Sequence, residues 1–342
     1  MHMADALLAP GVATTMYVCS GVAAACAVRK VRASEDTSKV PLMGVMGAFV
    51  FAAQMINVTI PGTGSSGHLC GGMLLAGLLG PSAAFLTMIG ILLIQCLLFA
   101  DGGVLALGAN IWNMAFYGCF LGGGIIWRGI LKNGFSRKKI ILASILGSVI
   151  TLQLGAFSVC LQTLASGITE LPFRVFVGAM LPIHLAIGLV EGLITAAVLL
   201  FVYEARPELL DGYAAEQTGK RALSARGVVA ILLAAACVIG GLLSQVASEH
   251  PDGLEWSVAR VTGKEETETP DGQVYAKAEA FQEKTALLPD YTFKDVGEED
   301  TRKAAWGTTV SGVAGGLLVM VCCAAGCYGL KRLKRRPAVA HG

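Results

Sequence analysis

The chain has 342 residues, of which 54% are hydrophobic and 15% charged, with a formal net charge of +2. Soluble domains carry about 25% charged residues, and here the apolar residues lie in long unbroken blocks, which excludes an ordinary soluble globule. Lys and Arg occur in short clusters between those blocks, so the small positive balance points to topology and not to a nucleic-acid partner.

A membrane-crossing helix needs about 20 apolar residues. In chain order, such segments are predicted at 12–28, 40–58, 104–127, 140–165, 174–202, 227–248 and 307–330. The start, MHMADALLAP, has no Lys or Arg before its first apolar run and carries Asp5, so it is expected to be retained and not cleaved as a signal peptide. The stretch 68–100 is either one long helix or two crossings broken near Gly80-Pro81. Basic residues are held on the cytoplasmic side. The clusters Arg29–Arg32, Arg128–Lys139, Arg206–Arg226 and Lys331–Arg336 share one side only if 68–100 crosses twice. The first crossing, 68–80, is short and needs shielding by protein or extension beyond Pro81.

Nine crossings follow, with Met1 outside and Lys331–Arg336 inside. The expected fold is an all-α, multi-pass integral membrane protein of the inner or plasma membrane, surrounded by lipid. It comprises a seven-helix bundle over 1–205, a cytoplasmic linker over 206–226, and a two-span unit over 227–342. The two-span unit encloses an acidic extracytoplasmic segment, 249–306, with 14 Asp and Glu against 7 Lys and Arg, a net charge of −7. That segment suits either attraction of divalent cations or a solvated linker between two spans.

Nine of the ten cysteines fall within apolar spans, where cysteine acts as a small hydrophobe. Cys70, two residues after His68, stands apart. The loop Pro61–His68 matches G-x-G-x-x-G through Gly62, Gly64 and Gly67. A nucleotide site is nevertheless excluded: His68-Leu69 replace the P-loop lysine and hydroxyl residue, and no βαβ context surrounds the glycines. Glycines here suit a sharp turn and close approach.

Of five histidines, His2 and His68 flank apolar segments at the outer surface. His250 opens the acidic segment and is expected to be solvated, and His341 lies in a tail expected to be unstructured. A Met-His terminus offers three nitrogens: the α-amine, the deprotonated His2 amide and the His2 imidazole. His68 supplies a fourth. Four nitrogens in a plane suit d⁸ Ni(II), and Cu(II) or Co(II) less exclusively, while imidazole selects against Mg²⁺ and Ca²⁺. Spacing alone does not separate this from a chance His at position 2. His184 and Glu191, seven apart on one helix face, form either a relay or a buried polar pair that fixes packing. Asn57, Asn110 and Asn113, near span ends, either fix loops or support a site.

Several separated segments occur together: Met1-His2, Gln54–Asn57, PGTGSSGHLCGGMLLAGLLGP at 61–81, Leu107–Met114 with Asn110 and Asn113, and HLAIGLVEGLIT at 184–195. Together they resemble the CbiM/NikM family, the substrate-capture (S) components of energy-coupling factor transporters for cobalt and nickel. HPDGLE at 250–255, followed by Trp256, is similar to the PDGLE domain, a relative of the CbiN/NikN accessory subunit. The resemblance implies an ABC-type importer subunit, not an enzyme, associated with cobalamin biosynthesis or nickel use. It would carry Ni²⁺ or Co²⁺ as transported substrate on Met1, His2 and His68. Asn57 and its loop, including Ser66, would support those ligands. The implied partners are a transmembrane coupling (T) subunit and paired cytoplasmic ATPases. Small-residue stripes Ala48-xxx-Ala52 and Gly44-xx-Gly47 suit close packing against the coupling subunit. Two alternatives stay open at this point. One is a membrane metalloprotein using His2, His68 and Cys70, though no H-E-x-x-H set is present. The other is a stand-alone secondary transporter with His184 and Glu191 on a proton path.

Overall fold

The computed structural model describes all residues except 34–38, 214–222, 266, 295–300 and 335–342, so the tail with His341 lies outside the described residues. The first unit holds α1 (Pro10–Ala33), α2 (Lys39–Gln54), α3 (Gly72–Leu79), α4 (Pro81–Phe99), α5 (Leu107–Leu131), α6 (Arg137–Ser166) and α7 (Phe173–Ala205). The second holds α8 (Ala225–Gly241), α9 (Gly253–Thr262), α10 (Gln273–Thr285) and α11 (Thr301–Lys334). Among the described residues, six helices, α1, α4, α5, α6, α7 and the Ala305–Gly326 part of α11, are long and apolar enough to cross a membrane. The chain is thus an all-α membrane protein, apart from one short β-ribbon.

The stretch 68–100 forms two helices. Gly80 takes φ +80°, which favours glycine, and Pro81 starts α4 at a position where its missing N–H costs nothing. Helix α3 has only 8 residues, about 12 Å of rise, and every one is buried. Its short length is therefore met by protein on all sides. Helix α5 carries wide π-type turns over Ile111–Trp127. Helices α6 and α7 form an antiparallel hairpin. Their backbones close where a Cβ on Gly188 or Gly192 would lie 3.1 and 2.7 Å from the Cα atoms of Val149 and Ile145.

The small-residue stripe on α2 faces this chain's own second unit, which corrects its assignment to an outside partner. Gly44 and Gly47 abut Met320 and Val319 of α11, Ala48 lies beside Gly316, and Ala52 lies beside Gly240 of α8. Two apolar helices of one chain have taken the close-packing surface that the stripe provides.

The acidic segment is no free linker. Among its described residues, α9 and α10 dock on the loops of the first unit. Gln282 donates to the carbonyls of Cys96 (3.0 Å) and Gly102 (2.8 Å), Tyr275 donates to the Leu8 carbonyl (2.9 Å), and the Leu288 amide bonds the Leu98 carbonyl (3.1 Å). Buried Leu254 and Val258 give α9 the apolar face that drives this docking. At the opposite end, Arg128 pairs with Asp211 through Nε (2.9 Å) and Nη2 (2.8 Å), and the Asp211 amide donates to the Gly77 carbonyl (2.8 Å).

Candidate metal centre

The first residues are drawn into the protein by polar contacts. Asn110 holds Met3 from both sides, accepting from its amide (2.7 Å) and donating to its carbonyl (3.1 Å). The Gly103 amide also donates to the Met3 carbonyl (2.9 Å), and Asp5 accepts from the Ala106 amide (2.9 Å). Asn113 stands one layer deeper, exchanging two bonds with Gln162 (2.7 and 2.9 Å) behind the Met3 side chain. Met1 is buried as a result.

The second strand of the glycine-rich loop brings His68 to the same point. Val58–Ile60 and Ser65–Gly67 pair as an antiparallel ribbon, turned by Gly62 and Gly64 at φ +76° and +74°. The glycines divide their tasks: those two make the turn, and Gly67 permits close approach, because a Cβ there would lie 2.5 Å from Ile187. The chain just after His68 is clamped by Glu191, which accepts from the amides of Cys70 (2.9 Å) and Gly71 (3.2 Å), and by Gln54, which donates to the Cys70 carbonyl (2.8 Å). Glu191 therefore positions the His68 loop. His184, on the same helix face, bonds the Met180 carbonyl through Nδ1 (2.8 Å) and packs beneath Gly253.

At the centre, the Met1 amine lies 3.2 Å from His68 Nε2 and forms an ion pair with Asp252. His68 Nδ1 donates to the Leu69 carbonyl (3.1 Å), which fixes the tautomer and leaves the Nε2 lone pair facing the amine. Burial first, then the charges of the amine and His2, push the His68 pKa down to about 3, so its ring is neutral. Burial, the largest single influence, opposes the ammonium form of Met1, but the charge and hydrogen bond of Asp252, with smaller contributions from Cys70 and Asp101, together hold the amine above its ordinary 8.0. Burial likewise pushes the Cys70 thiol up, which keeps it protonated and a poor ligand.

The His2 ring is elsewhere. It stacks on His68 with centroids 5.3 Å apart, its Nδ1 lies 3.0 Å from Asp101 and its Nε2 3.2 Å from Gln95 Oε1. Chelation by the His2 amide and ring closes a six-membered ring only through Nδ1, so a four-nitrogen plane requires that nitrogen to leave Asp101. Among the described residues, no three His, Cys, Asp or Glu side chains converge as a metal group; the centre depends on the terminal amine.

Ser66 also has a partner that its position in the sequence did not suggest. It donates through its amide to the Pro251 carbonyl (2.8 Å) and through its hydroxyl to the His250 carbonyl (2.7 Å), with the His250 side chain exposed. Asn57 accepts through its carbonyl from the Ser248 amide (2.8 Å). Both thus dock the second unit. Sequence reasoning missed Asp252, Asp101, Gln95 and Tyr291, whose hydroxyl donates to Asp101 (2.5 Å). A buried Gln within an apolar span and an Asp at a span end next to a glycine pair were the available signals. A cavity of about 530 Å³ opens onto His2 and His68. Its lining includes Asp5, Asp101, Asp252, Glu255, Glu265 and Glu279 and, among the described residues, no Lys or Arg.

Fold and centre together define a membrane protein with buried nitrogen donors beneath an acidic vestibule. The family model described as the cobalt uptake substrate-specific transmembrane region matches residues 2–209, and the PDGLE domain model matches 226–332. The chain belongs to the CbiM family of cobalt and nickel transport proteins and carries a C-terminal PDGLE domain. It is 34% identical over 320 residues to the fused NikMN-type nickel transport protein of Archaeoglobus fulgidus, covering 94% of this chain and 96% of that one. It is 28% identical over 276 residues to the cobalt transport protein CbiM of Geobacter sulfurreducens, covering 79% and 80%. A crystal structure of a truncated transition metal transporter superposes with a TM-score of 0.53 at 34% identity, covering 60% of this chain and 99% of that one.

Proposed function

We propose that this chain is the substrate-capture component of an energy-coupling factor importer for Ni²⁺ or Co²⁺, with Met1 on the extracytoplasmic side. Residues 1–205 form the capture domain, 206–226 the cytoplasmic linker and 227–342 the PDGLE unit. The observation that carries the reading is the pairing of the Met1 amine with His68 Nε2 at 3.2 Å. Two ligands at bonds of about 2.0 Å on one ion stand roughly 2.8 Å apart, so these nitrogens are close to a shared coordination sphere. The His2 amide and Nδ1 complete a planar set once the ring turns from Asp101, a geometry that suits Ni(II) and admits Co(II). Energy comes from cytoplasmic ATPases working through a transmembrane coupling subunit, because the glycine loop lacks the residues of a nucleotide site.

The experiment is to add one residue before Met1, and separately to make His2→Ala and His68→Ala. Each variant should lose high-affinity Ni²⁺ and Co²⁺ binding in equilibrium titration while keeping the melting behaviour of the parent. Unchanged binding would end the proposal. Cellular uptake that persists without any ATPase partner would instead favour a secondary transporter.

A further inference from the structure

His68 and His2 each have one ring nitrogen set by a backbone carbonyl, the first directly and the second at a distance. For His68, the Leu69 carbonyl takes the Nδ1–H. For His2 the carbonyl is that of Cys70, and two buried glutamines, Gln54 at the end of α2 and Gln95 in α4, carry its polarity to the ring. A carbonyl only accepts, so the Gln54 atom 2.8 Å from it is the donating Nε2. Gln54 Oε1 then faces Gln95 at 2.8 Å, and the Gln95 atom there must be Nε2. The second hydrogen of that nitrogen goes to the Tyr291 hydroxyl oxygen (3.4 Å), whose own proton goes to Asp101. Gln95 Oε1 is left facing His2 Nε2 at 3.2 Å, where it can only accept. Turning either amide over would set oxygen against oxygen, so the network fixes both.

We infer that Gln95, oriented by Gln54, is a positioning residue for the chelate: it holds the His2 N–H at Nε2 and so reserves the Nδ1 lone pair for the ion. This rests on the capture function proposed above. The choice of nitrogen matters because only Nδ1 closes a six-membered ring with the His2 amide. A neutral imidazole carries one N–H, and the two nitrogens of His2 face competing acceptors. Asp101 Oδ1, 3.0 Å from Nδ1, draws the proton to the nitrogen that must bind, whereas Gln95 Oε1 draws it to the other. Without Gln95, Asp101 acts unopposed and the neutral ring presents Nε2 instead. The group that accepts the second N–H of a ligating histidine decides which nitrogen meets the metal. Here that group is an uncharged amide, so the tautomer is set without adding a charge to the centre. The chain of bonds also starts two residues after His68 and ends on His2, which ties the orientation of one ligand to the seating of the other.

The test uses the full-length protein in detergent, with Ni²⁺ as the probe. Nitrogen NMR of isotope-labelled histidine, in the metal-free protein at alkaline pH, reads the His2 tautomer, and His2→Ala assigns its signal. The parent should carry the His2 proton on Nε2; a proton on Nδ1 overturns the inference without any further variant. Gln95→Met fills similar space with no hydrogen-bonding amide. It should move the proton toward Nδ1 and weaken Ni²⁺ binding by about 10- to 100-fold, the usual cost of losing a partner of a ligating histidine. Adding Asp101→Ala to Gln95→Met removes the opposing acceptor and should restore much of the affinity. A loss of affinity with the tautomer unchanged, a changed tautomer with affinity intact, or no recovery in the double variant would each reduce Gln95 to a packing role and overturn the inference. His2→Ala separates the two readings: if it binds Ni²⁺ normally, the capture reading itself fails, and if it loses binding while Gln95→Met does not, only the role of Gln95 fails.

Discussion

The pocket holds His68 and the Met1 amine in opposite protonation states. His68, with its pKa pushed down to about 3 from 6.5, stays neutral, while the amine, held above 8.0, is an ammonium at neutral pH. On the capture function proposed above, an incoming ion would displace protons from the amine and the His2 amide, not from His68. Affinity should rise with pH between 6 and 8, by about tenfold per unit for each proton displaced. Titration calorimetry in buffers of different ionisation enthalpy counts those protons, and a flat profile would exclude the amine as ligand. Stability of the metal-free protein follows the two shifts with opposite signs. The depressed His68 contributes stability present above 6.5 and lost as pH falls toward 3, and the raised amine contributes stability present below 8.0 and lost above it. His68 was legible in the sequence as a histidine beside glycines. Its neutral state was not, because that depends on burial and on the Leu69 carbonyl.

At the scale of elements, α9 is seated by a close approach. A Cβ on Gly253 would lie 2.8 Å from Ile187 and 2.9 Å from His184 Cε1, both on α7. Gly253→Ala should therefore lift α9 from the first unit, at a cost of about 1–3 kcal/mol for overpacking. The readouts are a lower melting temperature and a red-shifted emission of Trp256 as it loses its bond to Thr63. Unchanged emission would mean that His184 has room to move. Helix α3 illustrates what hydropathy fails to see. Its residues match a membrane segment in composition, yet they form only 8 residues of buried helix between Gly71 and Gly80. The break at Gly80-Pro81 was legible because proline and glycine act locally. The β-ribbon was not, since its strands, Val58–Ile60 and Ser65–Gly67, are only three residues each, below the four to eight over which an alternation is readable.

Across the whole molecule, charge is sorted by end. The amine, both site histidines and the acidic vestibule gather at one end, and Arg128, Arg137 and Arg206 pair with carboxylates at the other. A cleft lined by one sign of charge raises the local concentration of counter-ions and their arrival rate, an effect screened by salt. Glu255→Gln with Glu279→Gln should slow Ni²⁺ association and flatten its dependence on ionic strength. Stopped-flow measurements at low and high salt check this, and identical slopes for variant and parent would show that the vestibule does not steer.

The sequence alone determined the membrane class, the break in the 68–100 stretch, and the candidate donors Met1, His2 and His68, because hydropathy, proline, glycine and residue chemistry are properties of short stretches. Only tertiary structure decided which donors meet. It placed Asp252, 184 residues after His68, at the amine, and it turned the His2 ring toward Asp101 and Gln95. It also gave the small-residue face of α2 to the chain's own second unit. Those outcomes depend on how helices far apart in the chain compete for the same buried surface and on which polar groups must be satisfied there.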